Sequence, residues 1–167
     1  MSETDIQPGM IGMAGAYIVV RIKGLADVPH WANVTLRLLK LERKYRATII
    51  PAKDSTLGML KKVQHYITWK EIDVSLAREL LDKKARKSGY QKVSSDDIAG
   101  LKFGSMDELA SSLAEGRVSM SKLKPLKPWF ALAPPKGGFK RSTKRLYGQR
   151  GILGQNNELD SLVRKMI

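Results

Sequence analysis

The sequence predicts an α+β fold: a small βαβαβ core with two helices on one face of a three-stranded sheet, followed by a helical extension and a basic extended arm. Three observations predict it. Apolar residues alternate with period two near residue 20, and stripes at spacings of three and four lie between the candidate strands. Beyond residue 116 the charge becomes one-sided, with ten Lys and Arg and no acidic residue from Arg117 to Asn157. The chain therefore divides into a leader (1–15), a core (16–73), a helical extension (74–116), an arm (117–157) and a terminal helix (158–167).

The leader is Gly- and Met-rich, opens with the acidic MSETD and carries no basic residue, which predicts a flexible segment without RNA contacts. In the first strand, Tyr17 to Lys23, Ile18, Val20 and Ile22 share one face; Tyr17, Val19, Arg21 and Lys23 share the other. Pro29 suits a first helical turn, and Trp31, Val34, Leu38 and Leu41 then form an apolar side, with Arg37, Lys40 and Arg43 opposite. Tyr45 to Ile50 is the second strand, with Pro51 as its stop. Asp54, Ser55 or Thr56 caps a helix over Leu57 to Ile67, whose stripe is Leu60, Val63 and Ile67. Thr68 to Ile72 is the third strand. With both helices on one sheet face, the other is expected to stay free for a partner, exposing the strand face of Arg21 and Lys23.

The extension begins with a helix from Val74 to Ser88, with Leu76, Leu80 and Leu81 as its apolar side and Lys83, Lys84, Arg86 and Lys87 crowding its negative end. Gly89 reads as its stop. SSDD from Ser94 opens a short helix, and Ser105 with Glu108 is a capping box before Leu109 and Leu113. The final helix places Leu159, Leu162, Val163 and Met166 at helical spacing, able to dock on the body.

Charge sets the class of partner. The 167 residues hold 30 basic and 16 acidic side chains, a net +14, which places nucleic acid first. The arm's core run, PPKGGFKRSTKR from Pro134 to Arg145, repels itself and buries little, so it is expected to order on a polyanion. Trp129, Phe130 and Phe139 lie in the same tract and could stack on bases. Trp31 and Trp69 are assigned to the core. The longest apolar stretch near the N-terminus, Met10 to Val20, is too short to span a bilayer, and the arm's prolines oppose a membrane-surface helix, so no membrane partner is expected.

Catalytic readings fail on residue type or spacing. Cysteine is absent and there are two histidines, leaving little for metal or thiolate chemistry. Gly137, Gly138, Lys140, Ser142 and Thr143 lack P-loop spacing. His65 has no carboxylate partner nearby in sequence, and Asp54 with Ser55 is explained by capping. The glycine triples 9, 12, 15 and 148, 151, 154 contain G-x-x-G units, yet neither sits between predicted helices. They read as loops, the second bringing backbone close to phosphate beside Arg150. No enzyme activity, cofactor, metal or small-molecule substrate is expected.

The stretch YIVVRIKGLADVPHWANVTLRLLKLERKYRATIIPAKDSTLGMLKKVQHYITW resembles the core of the large-subunit ribosomal protein L-thirty family, whose eukaryotic counterpart is protein seven. LKPWFALAPPKGGFKRSTK looks like the Pro-(Lys/Arg)-Gly-Gly basic segment of the archaeal and eukaryotic branch, and NNELDSLVRKMI like its terminal helix. Bacterial members stop after the third strand, and eukaryotic members carry a long Lys-rich N-terminal arm, so the archaeal type fits best. The resemblance implies a structural, non-catalytic constituent of the large ribosomal subunit, cytoplasmic within the ribosome. It implies a monomer bound to large-subunit rRNA near the small separate ribosomal RNA, among other large-subunit proteins. By match of segments, Thr35, Arg37, Lys40, Arg43 and Lys44, then Lys61 and Lys62, then Lys136, Gly137, Gly138, Lys140 and Arg141 would face RNA. Charge and position add Arg21, Lys23, Lys144, Arg145 and Arg150. The rival reading is a non-ribosomal RNA chaperone or assembly factor with the same charge.

Overall fold

The computed structural model describes residues 15–123 and 126–167; the expectation about the leader concerns residues outside that range, Gly15 apart. The three core strands are β1 (Ala16–Arg21), β2 (Arg46–Pro51) and β3 (Ile67–Glu71), with β1 central and antiparallel to both. Between them lie α1 (His30–Leu38) and α2 (Asp54–Lys62). Both helices pack on one sheet face, where Ala32, Leu36, Leu60 and Val63 meet Val19, Ile67 and Trp69. The βαβαβ order and the shared helix face thus follow the sequence reading.

The helices cover the face opposite to the expected one. They pack over Val19 and Arg21, and the second face is not free. Ile18, Val20, Ala47 and Ile49 lie beneath α3 (Val74–Lys84), α5 (Met106–Ala114) and α6 (Leu159–Met166), which contribute Leu76, Leu80, Leu109, Leu113, Leu159 and Val163. A strand whose residues Ile18, Val19 and Val20 are all fully buried needs apolar cover on both sides. Burial of each such side chain is worth about 1.5–3 kcal/mol.

Helix α1 is turned relative to its predicted stripe. Ala32, Leu36 and Leu39 are buried, while Trp31, Val34 and Leu38 face outward, so Trp31 is not a core residue although Trp69 is. The helix carries two apolar stripes, and spacing alone does not choose between them. Helix α2 starts earlier than predicted: its N-cap is Lys53, and Asp54 lies in the first turn without capping.

The predicted long helix after Asp73 ends at Lys84. Ala85 is extended, and β4 (Arg86–Lys87) and β5 (Gln91–Lys92) form a hairpin whose tip contains Gly89 at φ 80°. Helix α4 (Ser95–Gly100) has the capping box of Ser94 with Asp97. At α5 the box is split: the Ser105 hydroxyl accepts from Glu108 N, but the Glu108 carboxylate accepts from Gly104 N at 2.7 Å.

The arm departs most from expectation. It supplies β6 (Phe130–Ala131), β7 (Ser142–Leu146) and β8 (Gly151–Gln155), giving one sheet in the order β6-β2-β1-β3-β8-β7. Met120, Leu123, Leu126, Phe130, Leu132, Ile152 and Leu153 from this segment are buried in the main core. It is woven through the fold, and its cationic stretch lies largely in solvent. The terminal helix docks as anticipated, burying Leu159, Val163 and Met166.

Candidate nucleic-acid interface

Sheet register gathers the basic segments at one end. Because β1 is antiparallel to β2 and β3, its last residues sit beside the first of both: Val20 opposite Ala47, Arg21 opposite Ile67. Strands β7 and β8 run parallel to β3, and Gly154 pairs with Thr68, so the start of β8 projects past the start of β3 on the same side. Lys23 follows β1, Lys44 precedes β2, Arg150 precedes β8, and the 134–141 run leads into β7. All therefore fall at this end, to which Lys61 and Lys62 also lead at the close of α2. Asp54, Glu71 and Asp73 fall at the other end.

The 134–141 run crosses this end on fixed anchors. Ala133 N donates to the Met166 carbonyl and Lys136 N to the Lys165 carbonyl, closing the C-terminus of α6. Gly138 N donates to the Pro135 carbonyl, making a turn whose third residue, Gly137, has φ 81°. That conformation favours glycine. Phe139 packs on Tyr45 with ring centroids 6.2 Å apart.

Of the sequence-predicted site residues, Arg37, Lys40, Arg43, Lys44, Lys61, Lys62, Lys136, Gly137, Gly138, Lys140, Lys144, Arg145 and Arg150 are exposed. No described carboxylate lies within ion-pair distance of those cations. Lys23 is half-buried and shares a groove with Lys44 and Lys144, which the sequence places far apart. Arg141 is partly neutralised by Glu158 at 3.3 Å and lies over the Tyr147 ring.

Two predicted contacts are corrected. Arg21 is 1 % exposed, and its guanidinium donates to the carbonyls of Leu41, Lys23 and Gly24 at 2.8, 2.9 and 3.0 Å. Burial pushes its pKa down, and its donors serve the protein. Thr35 is 5 % exposed, with its hydroxyl donating to the Trp31 carbonyl. Among the proposed stacking residues, Phe130 is fully buried and Phe139 is engaged with Tyr45, leaving Trp129.

A cluster that the sequence reading missed surrounds Trp129. The Arg46 guanidinium lies over its ring at 3.8 Å, Lys127 Nζ is 5.0 Å from its centroid, and the Tyr90 ring is 6.3 Å away, tilted by 40°. Arg86 and Lys127 also lie over Tyr90, at 5.9 and 5.5 Å. These residues come from β2, the β4–β5 hairpin and the entry to β6. An antiparallel bridge between Lys87 and Leu126, with Lys127 N donating to the Arg86 carbonyl at 2.8 Å, brings the last two together.

Among the described residues no group of three or more His, Asp or Glu is placed to hold a metal, and no helix is long and apolar enough to cross a membrane. Residues 17–67 match the family model described as Ribosomal protein L30p/L7e. The chain is 67 % identical over 155 residues to the large ribosomal subunit protein uL30 of Nitrosopumilus maritimus, covering 93 % of this chain and all of that protein. With uL30 of Cenarchaeum symbiosum the identity is 62 % over the same coverage. It is 37 % over 163 residues with uL30 of Staphylothermus marinus, again covering 93 % of this chain and all of the relative.

Proposed function

The chain belongs to the ribosomal protein L30p/L7e family, and from that premise we propose that it is a structural constituent of the large ribosomal subunit that binds and stabilises large-subunit rRNA. Its place is the cytoplasm, within the ribosome, beside other large-subunit proteins. The role is architectural rather than catalytic.

The observation that carries the mode of binding is the gathering of Lys23, Lys44, the 134–145 run and Arg150 at one end of a rigid sheet. Cations without carboxylate partners replace counterions released from phosphates, which gives affinity with steep salt dependence. Gly137 and Gly138 have no atom within 4 Å of where a Cβ would stand, so main chain can lie against a sugar-phosphate backbone. Fixed spacing between the groove of Lys23, Lys44 and Lys144 and the 136–141 turn suits recognition of RNA shape, the usual mode for folded RNA. The finer reading is a monomer that docks this end on large-subunit rRNA close to the small separate ribosomal RNA.

Sedimentation of a cell extract through a sucrose gradient after a high-salt wash tests the proposal. One copy per large subunit, retained in salt, is the expected outcome. Release from the subunit, or presence on precursor particles alone, would assign the chain to assembly instead.

A further inference from the structure

We propose that the cluster of Tyr90, Trp129, Arg46, Arg86 and Lys127 is a second RNA site, which takes one unpaired nucleotide by stacking its base on Tyr90 and holding its phosphates with the three cations. The proposal deepens the rRNA-binding reading and rests on it.

A purely structural role accounts for half of the cluster. Arg46 covers one face of Trp129, and this stack fastens β2 to the segment entering β6, where Arg46 pairs with Ala131. Tyr90 is not needed for it. Tyr90 stands at the tip of the β4–β5 hairpin and is 52 % exposed as a residue. A role in packing would bury it.

The backbone sharpens the point. Tyr90 has φ 62° directly after Gly89 at φ 80°. Asn, Asp or Gly adopts that conformation at little cost, and a bulky aromatic residue there is an outlier. Such strain persists where the side chain has a use. Here the strained residue holds an aromatic face in solvent.

Charge chooses the occupant. Among the described residues no carboxylate pairs with Arg46, Arg86 or Lys127. The nearest acidic neighbours are otherwise engaged or distant: Asp97 is paired with Lys87, and Glu42 acts on Arg46 from beyond ion-pair range. Nη1 of Arg86 donates to the Ala85 and Lys83 carbonyls, so that its charge is held in place without a carboxylate. An aromatic face ringed by cations without carboxylate partners matches a base with its flanking phosphates, the pattern by which single-stranded RNA is held. Paired RNA keeps its bases stacked internally and offers none to Tyr90.

The test uses the full chain with two probes, an adenosine RNA hexamer and an abasic ribose-phosphate hexamer of equal length, read by fluorescence anisotropy. Tyr90→Asn removes the ring and suits the positive φ; Tyr90→Phe keeps the ring. Asn is expected to weaken hexamer binding roughly 5- to 30-fold with Tm unchanged or higher, Phe to bind like the parent, and the abasic hexamer to ignore both. Equal hexamer binding by the Asn variant, or equal losses on the abasic probe, would overturn the site. So would normal hexamer binding coupled with loss of a protein neighbour in the subunit. Salt-dependent binding of folded large-subunit rRNA by the parent chain is measured alongside. Its absence would count against the rRNA-binding reading, whereas its presence with an indifferent Tyr90→Asn would count against this site alone.

Discussion

The Arg21 guanidinium donates to the Leu41 main-chain carbonyl across 2.8 Å, joining the end of β1 to the segment that descends from α1. Two further donors reach Lys23 and Gly24. A buried cation thereby fixes the loops that display Lys23, Lys40, Arg43 and Lys44. The residue holds the proposed interface in shape from beneath.

Replacing Arg21 by Met keeps much of the volume but leaves three carbonyls without their donor. The variant is expected to lose about 2–4 kcal/mol of stability, seen as a lower urea midpoint with an unchanged slope. An unaltered midpoint would show that the carbonyls find water instead.

Removing charge from the arm affects binding rather than folding. Changing Lys136, Lys140, Lys144 and Arg145 together to Gln lowers the slope of log affinity against log salt by up to about 3–4, since each neutralised phosphate contributes roughly 0.9 on a duplex. Filter binding of large-subunit rRNA from 50 to 200 mM salt measures it. Lys83→Gln, which disturbs only the pair with Glu79 on α3, is the matched control and leaves the slope unchanged. Side-chain changes are preferable to deletion of 134–145, because that segment contains most of β7 and the Phe139 contact.

Gly151 and Gly148 differ in kind. A Cβ at Gly151 would stand 1.8 Å from the Arg145 carbonyl oxygen, a clash, whereas at Gly148 it would meet nothing within 4 Å. Gly151→Ala is therefore expected to cost about 1–3 kcal/mol by forcing β7 and β8 apart. Gly148→Ala should stay within about 0.5 kcal/mol of the parent. Thermal unfolding of the two variants decides it, and equal Tm values would contradict the placement of β8.

Asp97 gives a pH signature. Its carboxylate accepts from the Ser94 amide and hydroxyl, both at 2.8 Å, and from Lys87 at 3.1 Å, which together lower its pKa from 3.8 to about 2. A folded value below the unfolded one means its stabilising contribution is whole above the unfolded value and is lost as pH falls through the folded one. The α4 cap should loosen between about pH 4 and pH 2. Carboxyl-carbon NMR of Asp97 is expected to titrate near 2; a midpoint near 4 would show that the box does not persist in solution.

Much of this was legible because local periodicity and the final contacts agree. The alternation around Val20 marks a strand whichever face the helices take, and the stripe of Leu60 and Val63 is buried as its spacing predicts. Where the structure departs, two local solutions existed and a distant segment chose. Trp31 and Leu36 lie on rival stripes of α1, and only the placement of α1 over Val19 decides between them. Arg21 alternates like an outward residue; its burial depends on carbonyls at Leu41 and Gly24 that no spacing announces. Tyr90 and Trp129 are 39 positions apart and meet through a hairpin whose two-residue strands are too short for a periodic signal. The basic run itself was plain, while its convergence with Lys23 and Lys44 required the register of β7 and β8.

Lysine footprinting of the assembled large subunit tests the docking of the basic end most directly. Acetylation of lysines in the free chain is compared with acetylation in the salt-washed subunit by mass spectrometry. Docking through the basic end predicts protection of Lys23, Lys44, Lys136, Lys140 and Lys144, with Lys83 and Lys102 remaining reactive. Protection of Lys83 and Lys102 with the arm lysines still reactive would place the RNA on the other side of the molecule and contradict it.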